Sequence, residues 1–301
     1  MTRAIYTDAP CKSALNRVRN MPFAWSLNPY RGCVHACHYC YARATHTHLG
    51  LNPDDDFSGR IFVKSNVVEV LQRELAARSW RREEVAIGAV TDPYQPGEGR
   101  FRLMPGILDA FTTARSPVSL VTKSTLPLRD IDALVRLQDA AGVRVNFTIT
   151  TLDLEIWRAV EPGTPPPHQR LAVMQRLAAA GVPCGVFLAP VLPGLTDDPA
   201  ALTALAVAAR QHGASWLWAS PLRLVPLVKE HFLDWLAEAR PDLLPRYQRG
   251  YPAADAPAQY RAWLDHQITQ ARLAAGFPAE QPPRPRSQPA LPPTRQLPLA
   301  L

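Results

Sequence analysis

Cysteine is scarce in this 301-residue chain: five in all, an odd number, with three of them inside eight residues. A chain this long can bury enough apolar surface to fold without cross-links. The clustering therefore argues against a disulfide framework and for a metal site in a reducing compartment. Lysine is scarcer still, with only Lys12, Lys64, Lys123 and Lys229 among 33 basic residues. No apolar run approaches the ~20 residues that span a bilayer. The opening Met1-Thr-Arg-Ala-Ile-Tyr-Thr-Asp8 lacks the basic and apolar blocks of a secretory leader. The expectation is a cytoplasmic protein with no membrane partner. Charge of one sign is not extreme either, since 33 Lys plus Arg against 26 Asp plus Glu leave +7. The tightest basic group, Arg78 with Arg81 and Arg82, is followed at once by Glu83 and Glu84. That field is compatible with a nucleic-acid partner and also with a solvated surface.

What the chain does have is a regular alternation. Short apolar runs at 23–27, 85–90, 118–122, 143–149, 183–190 and 214–219 read as strands, and helical periodicity separates them. Residues 66–80 carry Val67, Val70, Leu71 and Leu75 on one face, and residues 101–114 carry Leu103, Ile107, Leu108 and Phe111. Further helices are expected at 131–140, 168–180 and 200–211, two of them closed by Gly142 and Gly181. Six strand-then-helix units predict an α/β protein with a parallel sheet covered on both faces, as a partial barrel or an open doubly wound sheet. In either case chemistry gathers on loops at the carboxyl ends of the strands. The expected layout is a lead-in over 1–22, a core over 23–225, a helical extension over 226–276 and a Pro-rich tail over 277–301. Helices at 229–240 and 258–275 are expected to carry the chain away from the core. Eight of the 31 prolines fall in the last 24 residues, so the tail reads as a flexible polyproline-like extension. Docking through its Pro-Pro-Arg-Pro or Leu-Pro-Pro-Thr stretches is the alternative.

Cys33-Val-His-Ala-Cys37-His-Tyr-Cys40 spaces its thiols by three and then two residues, directly after the first strand. Three thiolates on a loop of this length can converge on one centre. Zinc would need a fourth ligand, which His35 or His38 could supply. An iron–sulfur cube normally takes four thiolates; held by three, it leaves one iron open to an outside ligand. The spacing, with an aromatic before the third cysteine, departs from the paired C-x2-C units typical of zinc and favours the cube.

This triplet resembles the signature of the radical S-adenosylmethionine (radical SAM) enzymes, whose cube is held by three cysteines. Further along, the resemblance narrows to the spore photoproduct lyase family. Gly32-Cys33 through Cys40-Tyr41, Thr91-Asp92, Thr122-Lys123, Asn146-Phe-Thr148, Glu161-Pro-Gly-Thr164 with Arg170, and Ala189-Pro190 keep that family's order over about residues 24–220. The resemblance implies a partial (βα)6 barrel of TIM type around a [4Fe–4S] cluster on Cys33, Cys37 and Cys40, with S-adenosyl-L-methionine on the open iron. It implies an enzyme that takes an electron from an external donor and cleaves the cofactor to a 5′-deoxyadenosyl radical. That radical would abstract hydrogen from a substrate, with nucleic acid the leading class and a small molecule or peptide the alternative. A non-catalytic iron–sulfur or zinc binding module is the reading from a different class.

The cofactor's ammonium, carboxylate and ribose hydroxyls call for acidic, cationic and hydroxyl groups at strand ends. The resemblance assigns Thr91 and Asp92 to the ammonium, whereas by residue type Asp92 also reads as a turn cap before Pro93. Lys123, directly after an apolar strand, could meet the carboxylate or lie on the surface. Asn146 and Thr148 share one face of their strand; in an interior they need a ligand or each other, and ribose contact is the preferred reading. By resemblance Tyr39 lies near the adenine and Tyr41, the candidate catalytic residue, on the radical pathway; plain aromatic packing is the alternative for both. Glu161 and Arg170 could pair with each other, or Arg170 could hold the cofactor carboxylate. His46 and His48 are expected in solvent, Trp216 and Trp218 in core packing rather than base stacking, and Cys184 as a buried thiol. One absence stands out. The lyases place a hydrogen-donating cysteine two residues before the hydroxyl that precedes the Asp, and here that residue is Ala89, with no cysteine between Cys40 and Cys184.

Overall fold

A computed structural model describes residues 4–19, 21 and 23–278. The expected tail therefore lies outside the described residues, apart from Phe277 and Pro278. The strands are β1 (Ile5–Asp8), β2 (Asn16–Arg17), β3 (Trp25–Leu27), β4 (Tyr30–Arg31), β5 (Arg60–Val63), β6 (Val85–Ile87), β7 (Val118–Thr122), β8 (Val143–Thr148), β9 (Cys184–Val191) and β10 (Trp216–Pro221). The main sheet has the order β10-β9-β8-β7-β6-β3-β2. Its neighbours run parallel except for the edge pair of β3 with β2. The six parallel strands are the six apolar runs of the sequence. Helices Val67–Leu75, Leu103–Ala114, Ile131–Ala140, Pro167–Ala179 and Pro199–Gln211 lie in the crossovers between them. Because β10 and β2 are edges that do not pair with each other, the sheet is a partial barrel, open on one side.

Alternation along each strand sorts its residues to two sides. Leu27, Ile87, Leu120, Val145, Phe147, Val186 and Leu217 are fully buried in the core shared with the helices. Ser26, Ala86, Ser119, Asn146, Gly185 and Trp216 occupy the intervening positions and face the lumen. Register places Asn146, Gly185 and Trp216 side by side on β8, β9 and β10. A Cβ on Gly185 would lie 2.1 Å from Trp216 Nε1, so glycine is what lets the indole lie across β9. Trp216 Nε1 then donates to Asn146 Oδ1 at 2.9 Å, and Asn146 Nδ2 donates to the Leu120 carbonyl at 2.9 Å. The buried amide is thus satisfied within the protein, which avoids the penalty of an orphaned polar group.

Several elements depart from expectation. The lead-in contributes β1 and β2, and β1-β5-β4 form a small separate sheet. These strands are two to four residues long and β1 and β2 are mostly exposed, so they carry no readable period. The helix expected over 101–114 breaks at Arg102, whose φ is +51°. It restarts because Glu98 accepts the backbone N–H groups of Leu103 and Met104 at 3.1 and 3.0 Å, an acidic cap on a helix N-terminus. Leu154–Val160 and Leu244–Gly250 are additional helices; the first is capped by the Asp153 side chain on Glu155 and Ile156. The last long helix, Ala258–Ala274, does not leave the barrel but packs back on Pro199–Gln211 and β10. Among the described residues no helix is long and apolar enough to cross a membrane.

Candidate metal and cofactor site

The cysteine loop is held in place from several sides. It turns at Gly32, with φ of +82°, and an added Cβ there would sit 2.9 Å from the carbonyl oxygens of Phe57 and Arg60. Only glycine accepts both conditions. Cys33 N–H donates to the Phe57 carbonyl at 2.9 Å, and turns return Ala36 N–H to Cys33 and Cys40 N–H to Cys37. Buried Arg43 clamps the loop, its Nε on the Cys37 carbonyl at 3.0 Å and Nη2 on the Ala36 carbonyl at 2.9 Å. On the other side Gly163 N–H donates to the His35 carbonyl at 3.1 Å, and a Cβ on Gly163 would lie 2.2 Å from the Val34 carbonyl. The Glu161-Pro-Gly-Thr164 stretch is therefore pressed against the cysteine loop.

Cys33, Cys37 and Cys40 are unbridged. Burial, then Asp92, raises the Cys33 thiol, and burial pushes Cys37 up to about 12. Both stay protonated near neutrality unless a cation ionises them, which a metal does. Among the described residues no group of three or more His, Cys, Asp or Glu side chains is preassembled to hold a metal ion. Each of the two histidines open to a zinc reading has its Nδ1 engaged elsewhere. His35 Nδ1 lies 3.3 Å from Asp92 Oδ2, and its Nε2 is buried without a partner. His38 Nδ1 is 3.2 Å from His231 Nε2, and its ring stacks on Trp235 at 5.0 Å. Burial, with His231 and Arg43 nearby, pushes His38 down to about 4.

The strand ends bring the remaining residues together. Asp92, after β6, accepts Tyr94 N–H at 2.9 Å and the Thr122 hydroxyl at 2.8 Å on one oxygen, and Lys123 N–H at 2.6 Å on the other. With His35 that makes four partners, so Asp92 caps its turn and also ties β6 to β7. Burial alone would raise its pKa, but His35, Lys123 N–H and Thr122 hold the carboxylate below its usual range. The Thr91 hydroxyl donates to the Tyr30 carbonyl at 2.9 Å. Lys123, in line with Ser119 and Val121, turns to the lumen. Its ammonium lies 5.6 Å from the centre of the Tyr39 ring, and no hydrogen bond or ion pair of its own is found among the described residues. Burial works against its charge, yet Cys37, Glu161 and Cys40 hold its pKa above the ordinary lysine value. Thr148, at the end of β8, is buried on the same side.

Arg170 is almost wholly buried and fully engaged. Its Nε donates to the Pro165 carbonyl at 2.8 Å, Nη1 to the Thr148 carbonyl at 2.9 Å, and Nη2 to Glu161 at 2.6 Å and to the Thr164 hydroxyl. The pairing of Glu161 with Arg170 is thus what the structure contains. Glu161 also accepts the Tyr39 hydroxyl and the Thr150 hydroxyl. Burial would raise the Glu161 pKa, but Arg170, Lys123 and Tyr39 hold it low. Tyr41 is half exposed, and its hydroxyl donates to the Ala89 carbonyl. Two aromatic expectations need correction. His46 is buried rather than solvated: the 3-10 turn Tyr41–Leu49 swings it against Phe57, with Nε2 3.2 Å from the Arg60 carbonyl. Trp216 packs inside, but Trp218, one layer nearer the strand ends, is 45% exposed at the open edge. Sequence reasoning gave no hint of the His38–His231–Trp235 contact, because its partners lie almost 200 residues apart.

Residues 27–206 match the Radical SAM superfamily. The chain belongs to the radical SAM superfamily. An uncharacterised protein of Mycobacterium tuberculosis is 42% identical over 298 residues, covering 96% of this chain and 87% of the relative. An uncharacterised protein of Methanocaldococcus jannaschii is 26% identical over 186 residues, covering 62% of this chain and 67% of its own. Among solved structures, spore photoproduct lyase with bound AdoMet and dinucleoside spore photoproduct has a TM-score of 0.65 at 18% identity, over 88% of this chain and 78% of that chain. That likeness shows a shared fold: the radical SAM partial barrel. The radical SAM family implies a four-iron cluster and S-adenosylmethionine. Three free thiols on a clamped loop, with a partly buried ammonium that has no hydrogen-bond partner among the described residues beside two of them, fit that pair of groups.

Proposed function

We propose that this protein is a radical SAM enzyme in which Cys33, Cys37 and Cys40 hold a [4Fe–4S] cluster and the lumen behind them binds S-adenosylmethionine. The observation that carries the reading is Lys123, a partly buried cation facing the lumen with no anionic hydrogen-bond partner among the described residues, placed beside Cys37, Cys40 and the Tyr39 ring. A buried charge without a partner is costly unless a ligand supplies one. Bound together, cluster and cofactor supply reductive cleavage of a carbon–sulfur bond and hydrogen abstraction from substrate, driven by an external electron donor.

The protein's own groups then take distinct tasks. Lys123 receives the carboxylate of the methionine end, and the Thr148 hydroxyl is offered to the ribose. Asn146 sits one layer deeper and supports that face through Trp216. Tyr39 forms a wall near the adenine, with its hydroxyl fixed by Glu161. Arg170 positions Glu161 and the end of β8. Asp92 orients Lys123 through its backbone; meeting the ammonium requires it to release His35, while Thr91 anchors the same turn. Tyr41 stands at Ala89, which has no sulfur to return a hydrogen atom to a product radical. Cys184 lies on the helix side of β9, so it does not replace that thiol. The proposal is therefore confined to cofactor cleavage and hydrogen abstraction, without the dimer-splitting of the lyases. Nucleic acid is the substrate class we favour, supported by the +7 charge and exposed Trp218 at the barrel mouth, and a cytoplasmic location is proposed with it.

The test is anaerobic reconstitution with iron and sulfide, followed by dithionite and S-adenosylmethionine, with 5′-deoxyadenosine as the product assayed. Release that requires all three cysteines supports the reading; zinc uptake without iron overturns it. Lys123→Met should load the cluster normally by absorbance yet bind the cofactor roughly 10-fold or more weakly, and unchanged affinity would remove the carboxylate assignment. For the substrate class, binding to single-stranded and duplex DNA is measured across a salt series. No affinity even at low salt sinks the nucleic-acid part.

A further inference from the structure

One buried polar atom in the cysteine loop has no use inside the protein. His35 lies between Cys33 and Cys37 and is 2% exposed. Its backbone is held from outside the loop: Gly163 N–H donates to its carbonyl at 3.1 Å, and a Cβ on Gly163 would sit 2.9 Å from His35 Cα. Its ring is held by Asp92, whose Oδ2 is 3.3 Å from Nδ1. Nε2, on the other side of the ring, is buried and has no hydrogen-bond partner among the described residues. A buried polar atom left alone carries its full desolvation cost. Held through backbone and ring, this one marks a position that a ligand or a water completes.

Asp92 sets the role of Nε2. Burial opposes the Asp92 charge, yet His35, Lys123 N–H and Thr122 hold the carboxylate below its usual range. An ionised carboxylate only accepts, so the ring presents its N–H at Nδ1 and a lone pair at Nε2. The carboxylate behind the ring strengthens that lone pair as an acceptor. Lys123 shares the arrangement, because its backbone N–H donates to the same Oδ2 at 2.6 Å. One carboxylate oxygen therefore fixes two residues, His35 with an acceptor to offer and Lys123 with an ammonium. The amino-acid end of S-adenosylmethionine carries the complements of both, an amino group and a carboxylate, on one carbon. A metal ion would also suit a carboxylate-backed imidazole. Among the described residues, however, no group of three or more ligating side chains is preassembled to hold one.

We propose, building on the radical SAM reading, that His35 Nε2 accepts a hydrogen bond from the α-amino group of S-adenosylmethionine, while Lys123 takes the carboxylate on the same carbon. The Asp92 charge reaches the amino group through the ring rather than directly. Asp92 then keeps all four of its partners on binding, and the turn after β6 does not have to open.

The test is calorimetry on the cluster-loaded protein with two ligands, S-adenosylmethionine and its analogue with hydrogen in place of the α-amino group. His35→Asn keeps a donor for Asp92 near Nδ1 and offers nothing at Nε2. It should load iron as the wild type does, and its preference for S-adenosylmethionine over the analogue should fall about 10-fold or more. His35→Gln, whose amide oxygen reaches the Nε2 position, should keep that preference within about threefold. Lys123→Met should weaken both ligands alike, because both retain the carboxylate. An unchanged preference in His35→Asn overturns the proposal and assigns Nε2 to a water. An equal loss of preference in His35→Gln overturns the acceptor role. Loss of iron from either histidine variant overturns it too, by making His35 a support of the cluster itself. A wild-type protein that loads iron but binds neither ligand removes the radical SAM reading underneath, an outcome distinct from all of these.

Discussion

The two faces of the parallel sheet are written by the same strands in alternate residues, yet they differ in kind. Toward the helices β7, β8 and β9 present Leu120, Val145, Phe147, Val186 and Leu188, all fully buried. Toward the lumen they present Ser119, Asn146, Thr148 and Gly185, with Lys123 just past the end of β7. The first face tolerates exchange among apolar residues of similar volume. The second is specified atom by atom, because each buried donor or acceptor left without a partner carries its full desolvation cost. Stability is concentrated on one side and the proposed ligand recognition on the other, with the buried Glu161–Arg170 pair joining them at the strand ends.

That division can be broken by measurement. Phe147→Ala should lose about 3–5 kcal/mol of stability in urea unfolding; a loss under ~1 kcal/mol would show that the helix-facing side is not the main source of stability. Arg170→Met should cost a comparable amount, about 3–5 kcal/mol, because it strands the Glu161 carboxylate in a dry site. A small cost there would mean that water reaches Glu161 and that the network does not join the two faces. Asn146→Ala should cost about 1–3 kcal/mol, since Trp216 Nε1 and the Leu120 carbonyl both lose their partner. Lys123→Met should change stability least, by within about 1 kcal/mol, while abolishing most cofactor affinity in calorimetry. A large stability loss at Lys123 would make it a structural residue and erase the contrast.

Much of the architecture was legible beforehand. The six parallel strands read as short, mainly apolar runs stopped by turn residues, because the face each turns to the helices is fully apolar. The Leu154–Val160 helix carries a usable local signal in Asp153, whose side chain caps it ahead of Leu154 and Ile156. β1, β2 and β4 had none, being too short and too exposed to show a period. At the site, the cysteine spacing marked the loop, and rarity marked Lys123. The four-partner saturation of Asp92, the engagement of Arg170 and the burial of His46 were not legible. Each depends on which distant backbone groups arrive nearby once the sheet has formed.

Local chemistry and order along the chain therefore settled the six parallel strands, the cysteine loop and the residues available at each strand end. Those follow from period and composition, which act over a few residues. Packing settled how the available residues were used. Trp216 reaches Asn146 only because register sets both beside Gly185, and Arg170 holds Glu161 because the two crossover segments after β8 fold onto the cysteine loop. Lys123 is left facing the lumen without a hydrogen-bonded counter-ion because the nearby Glu161 carboxylate is already taken by Arg170, Tyr39 and Thr150. A buried polar atom must find its partner within about 3 Å, and that condition is set by the three-dimensional arrangement of elements far apart in sequence.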